Sequence, residues 1–119
     1  MKDGKQWGST TTLVEGPLFA AHRLEVLPWS YCSFHRHAAK WNAFVVAEGV
    51  LVIEIKKTYA GREIVDRTVL GPGEFATVRP GATHRFVSEG VPAVALEMYY
   101  PAELSEDIVR DDVSGRNSA

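Results

Sequence analysis

The alternation of hydrophobic and polar positions predicts short β-strands along most of the chain. Runs of apolar and β-branched residues are separated by turn-forming groups such as Glu48-Gly49 and Gly71-Pro72-Gly73. β-Branched and aromatic residues suit a pleated, half-buried surface, and turns at this spacing are typical of a β-sandwich or barrel. The predicted strands cover residues 18–27, 31–37, 42–47, 50–57, 63–70, 74–78, 84–88 and 91–100.

The one helix that the sequence predicts lies near the C-terminus. Ser105 can cap it, and Glu106 and Asp107 would place negative charge in its first turn, where the helix dipole favours it. This helix would end near Arg110. We therefore expect a single domain with an N-terminal segment over 1–12, a barrel over 13–101, and a C-terminal helix and tail over 102–119.

Composition and charge fit a small globular domain and argue against two classes of partner. A chain of 119 residues that is 45% hydrophobic can form one modest core. A net charge of -2 is atypical of proteins that bind nucleic acids, and no apolar run is long enough to cross a membrane. The only cysteine, Cys32, cannot form an internal disulfide, and residues 1–12 lack the apolar core of a signal peptide, so we expect a cytoplasmic protein.

Three of the four histidines fall in two short segments that can meet in a β-structure. His35 and His37 form an H-x-H pair, whose side chains would share one face of a strand. His84 follows a tight turn at Pro80-Gly81, which would direct the next strand inward, and Phe86 would share the face of His84. Three nitrogen ligands with an open position are typical of catalytic zinc sites. We predict a divalent metal at these histidines, zinc first, with nickel, copper, iron or manganese as alternatives; otherwise they are ordinary barrel histidines.

Two motifs resemble those of the cupin family, which are small double-stranded β-barrels of the jelly-roll type. The first family motif runs from H-x-H through a glutamate to a glycine, and here it reads His35-Arg36-His37, Asn42 and Gly49. The second ends in a P-G-x-x-H turn, and here it is Gly73 followed by residues 80–84. The resemblance implies an all-β, single-domain jelly-roll barrel with metal in its lumen. Asn42 replaces the glutamate, so it would serve as a weak oxygen ligand or as a hydrogen-bond partner of a metal-bound histidine.

A narrower resemblance is to the cupin domain of type II mannose-6-phosphate isomerases. It rests on Lys5-Gln6-Trp7-Gly8, on residues 80–85 and on residues 104–110. The central segment departs from that family, because Ala38-Ala39-Lys40-Trp41-Asn42 lacks its acidic residue. The resemblance implies a sugar phosphate as ligand and isomerase activity. Trp41, beside Asn42 near the barrel mouth, is a further candidate for ligand binding.

Three functions are compatible with these residues. In the first, a metal-bound sugar phosphate is isomerised, with Glu97 as the base that moves a proton between adjacent carbons. Arg36, Arg85 or Arg110 would hold the phosphate, and Arg110 is our choice because the other two alternate out of the lumen. The second function is a non-catalytic module that binds a small polar ligand, which the neutral Asn42 favours. The third is a metal-dependent oxygenase, for which the ligand set is less suited.

The roles of Glu97 and His22 depend on which face of their strands they occupy. Glu97 can act as a base only if it faces the lumen; on the outer face it would be an ordinary solvated residue. His22, on an early strand, is expected at the surface or rim. An apolar N-terminal strand and an exposed sheet edge favour a homodimer, because sheet edges tend to be paired or covered.

Overall fold

The chain folds into two antiparallel β-sheets that face each other across one core. The computed structural model describes residues 1–102 and 113–117. Within these ranges the strands are β1 Lys2–Lys5, β2 Gly8–Glu15, β3 Ala20–Val26, β4 Lys40–Gly49, β5 Leu51–Tyr59, β6 Arg62–Leu70, β7 Phe75–Val78, β8 His84–Val87 and β9 Ala93–Pro101.

The strand order brings residues that are distant in sequence to one end of the barrel. Six strands form the larger sheet in the order β1-β2-β3-β9-β4-β7, and three form the smaller sheet in the order β6-β5-β8. Strand β9 pairs with both β3 and β4, so the last strand lies in the middle of the larger sheet. The two facing antiparallel sheets confirm the predicted all-β jelly-roll barrel.

The core forms where alternate side chains of both sheets point inward. Leu24 of β3, Phe44 and Val46 of β4, and Ile53 of β5 are all buried in it. Successive side chains of a strand point to opposite faces, so only every second position enters the core. Asn42 is two residues before Phe44, so it shares the inner face of β4, and it is buried.

The turn between β4 and β5 explains why the first motif ends in glycine. Gly49 has a φ of 76°, a conformation that residues with a side chain rarely adopt. A Cβ atom at this position would also overlap the carbonyl oxygen of Pro92. Only glycine therefore lets β4 pass this close to the start of β9.

The predicted strand over residues 31–37 is wrong. Only Tyr31 and His35 form isolated bridges, to Val87 and His84 respectively, and the rest of this segment has no continuous ladder. The segment lies beside β8, but its side chains do not alternate regularly, because Cys32 and His35, three residues apart, line the same cavity. It also lacks the continuous backbone pairing of a strand.

Both ends of the chain differ from the expected division or fall outside the description. Residues 1–12, expected to precede the barrel, form β1 and part of β2, which pair with each other, and β2 pairs with β3. The predicted helix that begins at Ser105 and ends near Arg110 lies outside the described residues.

The described ranges contain no helix with the length and hydropathy of a membrane span. Strands β1 and β7 are the edges of the larger sheet, and β6 and β8 are those of the smaller sheet, where isolated bridges from Tyr31 and His35 cover β8 in part. The homodimer stays a prediction.

Candidate metal centre

Backbone pairing brings the two histidine segments together. His84 opens β8, whereas His35 and His37 lie in the connection between β3 and β4. The amide of His35 donates to the carbonyl of His84 at 3.0 Å, and the amide of His84 donates back at 2.9 Å. The amide of Gly81, in the turn before β8, donates to the carbonyl of His37 at 2.7 Å. The P-G turn therefore fixes one end of the H-x-H segment.

The three imidazoles form a compact cluster that can hold a metal ion. Their ligand atoms all lie within 4.8 Å of one another. The ring of His35 is 4.5 Å from that of His84 and 5.1 Å from that of His37, measured between centroids. The cluster would offer up to three nitrogen donors to one ion, which is the number that catalytic zinc sites use.

Hydrogen bonds orient two of these rings with one nitrogen toward the shared space. Nδ1 of His35 donates to the carbonyl of Ser33 at 2.8 Å, and Nδ1 of His84 donates to the carbonyl of Ala82 at 2.8 Å. In the neutral form of each ring, this bonding leaves Nε2 as the nitrogen with the lone pair, as in metal sites whose ligands are held by outer hydrogen bonds. Nε2 of His37 is buried without a hydrogen-bond partner among the described residues, and a cation would supply that partner.

The pKa values of two of these histidines favour the neutral form that a metal requires. Burial, with added repulsion from His35, His84 and Lys40, lowers the pKa of His37 to about 4. Burial also lowers the pKa of His84; the hydrogen bond to Ala82 opposes this effect in part, and the charge of His35 adds to it. Both rings are therefore neutral near pH 7, and their lone pairs are available.

Asn42 points its amide oxygen at the same place. Its Nδ2 donates to the carbonyl of Met98 at 3.2 Å and to Glu97 at 3.4 Å, which directs Oδ1 toward His84 Nε2 at 2.9 Å. A neutral His84 has already donated its one proton to Ala82, so two lone pairs face each other across this gap. A cation bound by both atoms would remove that conflict. The residues therefore fit a metal held by three imidazoles and one amide oxygen.

Glu97 faces the lumen. It lies in the middle of β9 and is only 7% exposed. Burial raises its pKa, while hydrogen bonds from the Tyr99 hydroxyl and from Asn42, together with the nearby His22 and His35, partly counteract this effect. The inward orientation meets the condition that the sequence set for a base at this position.

A cavity of about 360 Å³ lies beside this cluster. Its wall includes His35 and Glu97, the indole of Trp7, and the hydroxyl groups of Thr10 and Thr12. This volume is in the range of small-molecule sites, which are usually largely apolar with a few placed polar groups. The cavity can therefore hold a small polar ligand in contact with both the histidine cluster and the carboxyl group.

Several residues of the cavity wall were not identified from the sequence as part of the site. Trp7, Thr10 and Thr12 belong to the segment that was expected to precede the barrel. His22 lines the cavity, pairs in register with Glu97, and has a buried Nδ1 without a partner in the described residues. The alternation with Leu24, which is buried in the core, could have placed His22 on the inner face.

The other predicted ligand-binding residues divide into those near the cavity and those outside it. Phe86 lines the cavity and packs edge-on against Trp7, with 4.8 Å between ring centroids. Trp41 lies outside the cavity: its indole donates to the carbonyl of Ala102 at 3.1 Å and stacks on Tyr100. Arg110 lies outside the described residues. Of the alternative phosphate-binding residues, Arg85 bonds to Glu54 and does not line the cavity, and Arg36 is exposed.

The fold is a jelly-roll barrel, and three histidines cluster at one end of its lumen. This arrangement is typical of small β-barrels that can hold a metal ion. Residues 22–99 match the family model described as a cupin domain. The chain therefore belongs to the cupin family, as its two motifs indicated.

A curated relative and two solved structures are similar to this chain. A mannose-1-phosphate guanylyltransferase of Sinorhizobium fredii is 29% identical over 116 residues, which is 95% of this chain but only 21% of that protein. KdgF from Halomonas sp. shares the fold with a TM-score of 0.67 and 15% identity, over 83% of this chain and 84% of that one. The capsular polysaccharide assembling protein CapF from Staphylococcus aureus has a TM-score of 0.71 and 18% identity, over 88% of this chain and 31% of its own. At these identities the two structures show the fold alone.

Proposed function

We propose that this cupin binds a divalent metal ion and a sugar phosphate in its lumen, and that it catalyses an isomerisation like that of mannose-6-phosphate isomerases. The observation that carries this proposal is the shared cavity wall. His35, from the metal cluster, and Glu97, a buried carboxyl group, both face the same space of about 360 Å³. A ligand in that space meets a Lewis acid site and a proton-transfer group at once.

The metal would be held by His35, His37 and His84, with Asn42 Oδ1 as a fourth donor. When bound, a divalent ion supplies Lewis acidity toward a carbonyl or hydroxyl oxygen of the ligand. Neutral nitrogen donors and one neutral oxygen suit zinc, and also nickel or copper, better than iron or manganese.

Glu97 would move the proton. Its raised pKa brings the carboxyl group closer to the range in which one residue both accepts and releases a proton near neutral pH. The amide of Asn42 and the hydroxyl of Tyr99 hold the carboxyl in place. Asn42 would thus contact both groups: its amide oxygen would bind the metal, and its amide nitrogen donates to the carboxyl group of Glu97.

The choice of a sugar phosphate rests on the residues of the cavity and on the names of relatives. The hydroxyls of Thr10 and Thr12 can bond to a polyhydroxylated ligand, and Trp7 offers an apolar face. Lys5 is the described cation on the cavity wall, so it can pair with a phosphate; Arg110 stays a prediction. A relative named as a mannose-1-phosphate guanylyltransferase also supports a phosphosugar.

Two measurements test this proposal. Elemental analysis should find about one divalent ion per chain in the wild type and little in His84→Ala, since one of three strong ligands is lost. Thermal unfolding with mannose 6-phosphate should shift the melting temperature upward, and inorganic phosphate and free mannose should shift it less. Equal metal content in both proteins would contradict the metal site. No shift with any hexose phosphate at millimolar concentration would contradict the sugar-phosphate ligand.

A second function is a module that binds the same kind of ligand without catalysis. The neutral Asn42 favours it, because the family's carboxylate is missing from that position. Solvent deuterium separates the two functions: an isomerase that works through proton transfer incorporates deuterium next to the carbonyl carbon, and a binding module does not. The metal-dependent oxygenase is the weaker alternative, because it needs a redox metal that this ligand set disfavours.

A further inference from the structure

Two of the three metal ligands lie on a segment with sparse backbone support. Residues 31–37 make two isolated bridges to β8, a backbone bond from Cys32 to Phe86 and one from Gly81 to His37, but they form no continuous ladder. Metal sites need their ligands held within about 0.5 Å of the required geometry, and segments with few hydrogen bonds open easily. Backbone bonds hold the segment at His35 and His37 themselves, and side-chain contacts on the outer side of the barrel wall add to them.

The backbone pairing between His35 and His84 creates matched contacts on both sides of the wall. On the inner side, the two imidazoles lie 4.5 Å apart. On the outer side, the next residues of this alternation meet: the guanidinium of Arg85 lies over the ring of Phe34, 4.4 Å from its centroid. Arg85 also lies 5.0 Å from the ring centroid of Tyr31. The cation therefore contacts two aromatic rings of the segment that carries the ligands.

Arg85 is itself fixed by a buried carboxylate of the neighbouring strand. Its Nε donates to Glu54 Oε1 at 2.7 Å, and the Glu54 side chain is only 6% exposed. Arg67 on β6 bonds to the other carboxylate oxygen at 3.0 Å. Arg67, Glu54 and Arg85 are cross-strand neighbours in the register of the smaller sheet. This row of charged side chains ends at Arg85, which contacts Phe34 beyond the edge of the sheet. The segment that carries Phe34 forms no regular ladder with β8.

We propose that Arg85, anchored on Glu54, is a positioning residue for the metal site. It contacts Phe34 and Tyr31, and through them it sets the distance of His35 and His37 from His84. We call Arg85, Phe34 and Tyr31 the outer clamp. The proposal rests on the metal function proposed above. None of the three residues lines the cavity. Phe34 and Arg85 are the chain neighbours of His35 and His84, so their effect passes through the backbone.

The chain offers a matched pair of variants that separates positioning from stability. Arg85→Met removes the cation that contacts both rings and leaves Lys56, whose ammonium lies 4.5 Å from the centroid of the Phe34 ring. Arg67→Met removes the other guanidinium from the same carboxylate without touching the segment. Cobalt(II) is the probe, because its visible absorption reports both binding and coordination geometry. We expect Arg85→Met to weaken cobalt affinity by about 10- to 100-fold, as loss of outer-shell support does, and to change the spectrum. Arg67→Met should keep the wild-type spectrum and change affinity by less than about threefold.

Substitution of Phe34 tests the clamp from the other side and leaves every charge in place. Phe34→Leu removes the aromatic face and should weaken cobalt binding, and Phe34→Tyr should retain wild-type affinity and spectrum because it keeps that face. If Arg85→Met does not fold, this pair decides the question. Equal affinities in Phe34→Leu and Phe34→Tyr, or equal effects of Arg85→Met and Arg67→Met, would overturn the clamp.

Hydrogen exchange in the metal-free protein distinguishes failure of the clamp from failure of the metal function. The amides of residues 31–37 should exchange faster in Phe34→Leu than in Phe34→Tyr, while those of β5 should stay unchanged. A wild-type protein that binds no cobalt would overturn the metal function; the clamp is then judged by this exchange alone. Unchanged exchange of residues 31–37 in Phe34→Leu would overturn the clamp whatever metal is bound.

Discussion

Two buried glutamates, one on each sheet, have opposite surroundings. Glu54, in the smaller sheet, is 5% exposed, and Glu97, in the larger sheet, is 7% exposed. Both oxygens of Glu54 are engaged by guanidinium groups, from Arg67 and Arg85. Among residues 1–102 and 113–117, no lysine or arginine side chain is bonded to Glu97; an amide and a hydroxyl contact it, and its pKa is raised by burial.

The difference shows that burial alone does not decide the role of a carboxyl group. A carboxylate that is paired with two guanidinium groups stabilises the fold and stays ionised. Its loss would leave both cations without a partner. A carboxyl group with neutral partners changes protonation state at a lower cost in energy, which is what proton transfer requires. The same residue type is therefore part of the scaffold on one sheet and a candidate for chemistry on the other.

The largest expected effect concerns the chemistry of Glu97. Glu97→Gln should slow deuterium incorporation into a hexose phosphate by about 10²- to 10⁴-fold, because a general base is lost. Its stability at pH 8 should be unchanged or higher, since a raised carboxyl pKa means that ionisation costs stability as pH rises through that pKa. The exchange is followed by proton magnetic resonance and the stability by urea unfolding. A variant with wild-type exchange would show that Glu97 is not the base.

Glu54 should show the reverse behaviour. Glu54→Gln should lower the free energy of unfolding by about 2 kcal/mol, because it leaves two guanidinium groups without their carboxylate, although solvent reaches both in part. The control is Asp66→Asn, which breaks the exposed pair with Lys57 and should cost about 0.5 kcal/mol or less. Urea unfolding measures both. Equal losses in the two variants would remove the distinction between the buried row of charges and an ordinary surface pair.

The sequence predicted the histidine cluster better than it predicted the residues that line the adjacent cavity. The spacing of His35, His37 and His84 was enough, because the P-G turn and the motif glycine fix how the two segments meet. The facing of Glu97 could not be predicted from β9, because its outer positions, Val94 and Leu96, are more hydrophobic than its inner alanines, Ala93 and Ala95.

The ends of the barrel were the hardest part to predict. Strands β1 and β2 are largely polar, so they lack the hydrophobic alternation that marks a strand. The cavity residues that they carry were missed for that reason. The strand predicted over 31–37 failed for the opposite reason: alternation is visible in a sequence, whereas the backbone pairing that makes a strand depends on a partner elsewhere in the chain.

Asn42 contacts both His84 of the metal cluster and Glu97. Its replacement by glutamate tests how a negative charge at this position changes metal preference and stability. Asn42→Glu should raise affinity for manganese(II) by about tenfold or more relative to zinc, because it adds a charged oxygen ligand. The metal-free variant should be less stable, since a second carboxyl group is placed beside Glu97. Competition titrations measure the metal preference, with Asn42→Ala as a control that should weaken binding of both metals. An unchanged ratio would mean that position 42 does not contact the ion.

The smallest expected effect is a pH dependence in the metal-free protein. The pKa of His37 falls from 6.5 to about 4 on folding, so between these values the unfolded chain binds a proton that the folded chain does not. Stability should therefore fall as pH decreases from about 6.5 to about 4, by about 1 kcal/mol or less once solvent screening is included. Glu97 contributes with the opposite sign and His84 with the same sign, so the difference between wild type and His37→Gln isolates this residue. Urea unfolding at several pH values should give a flatter profile for His37→Gln. Identical profiles would show that His37 titrates normally in the folded chain, and the argument that burial keeps this ligand neutral would fail.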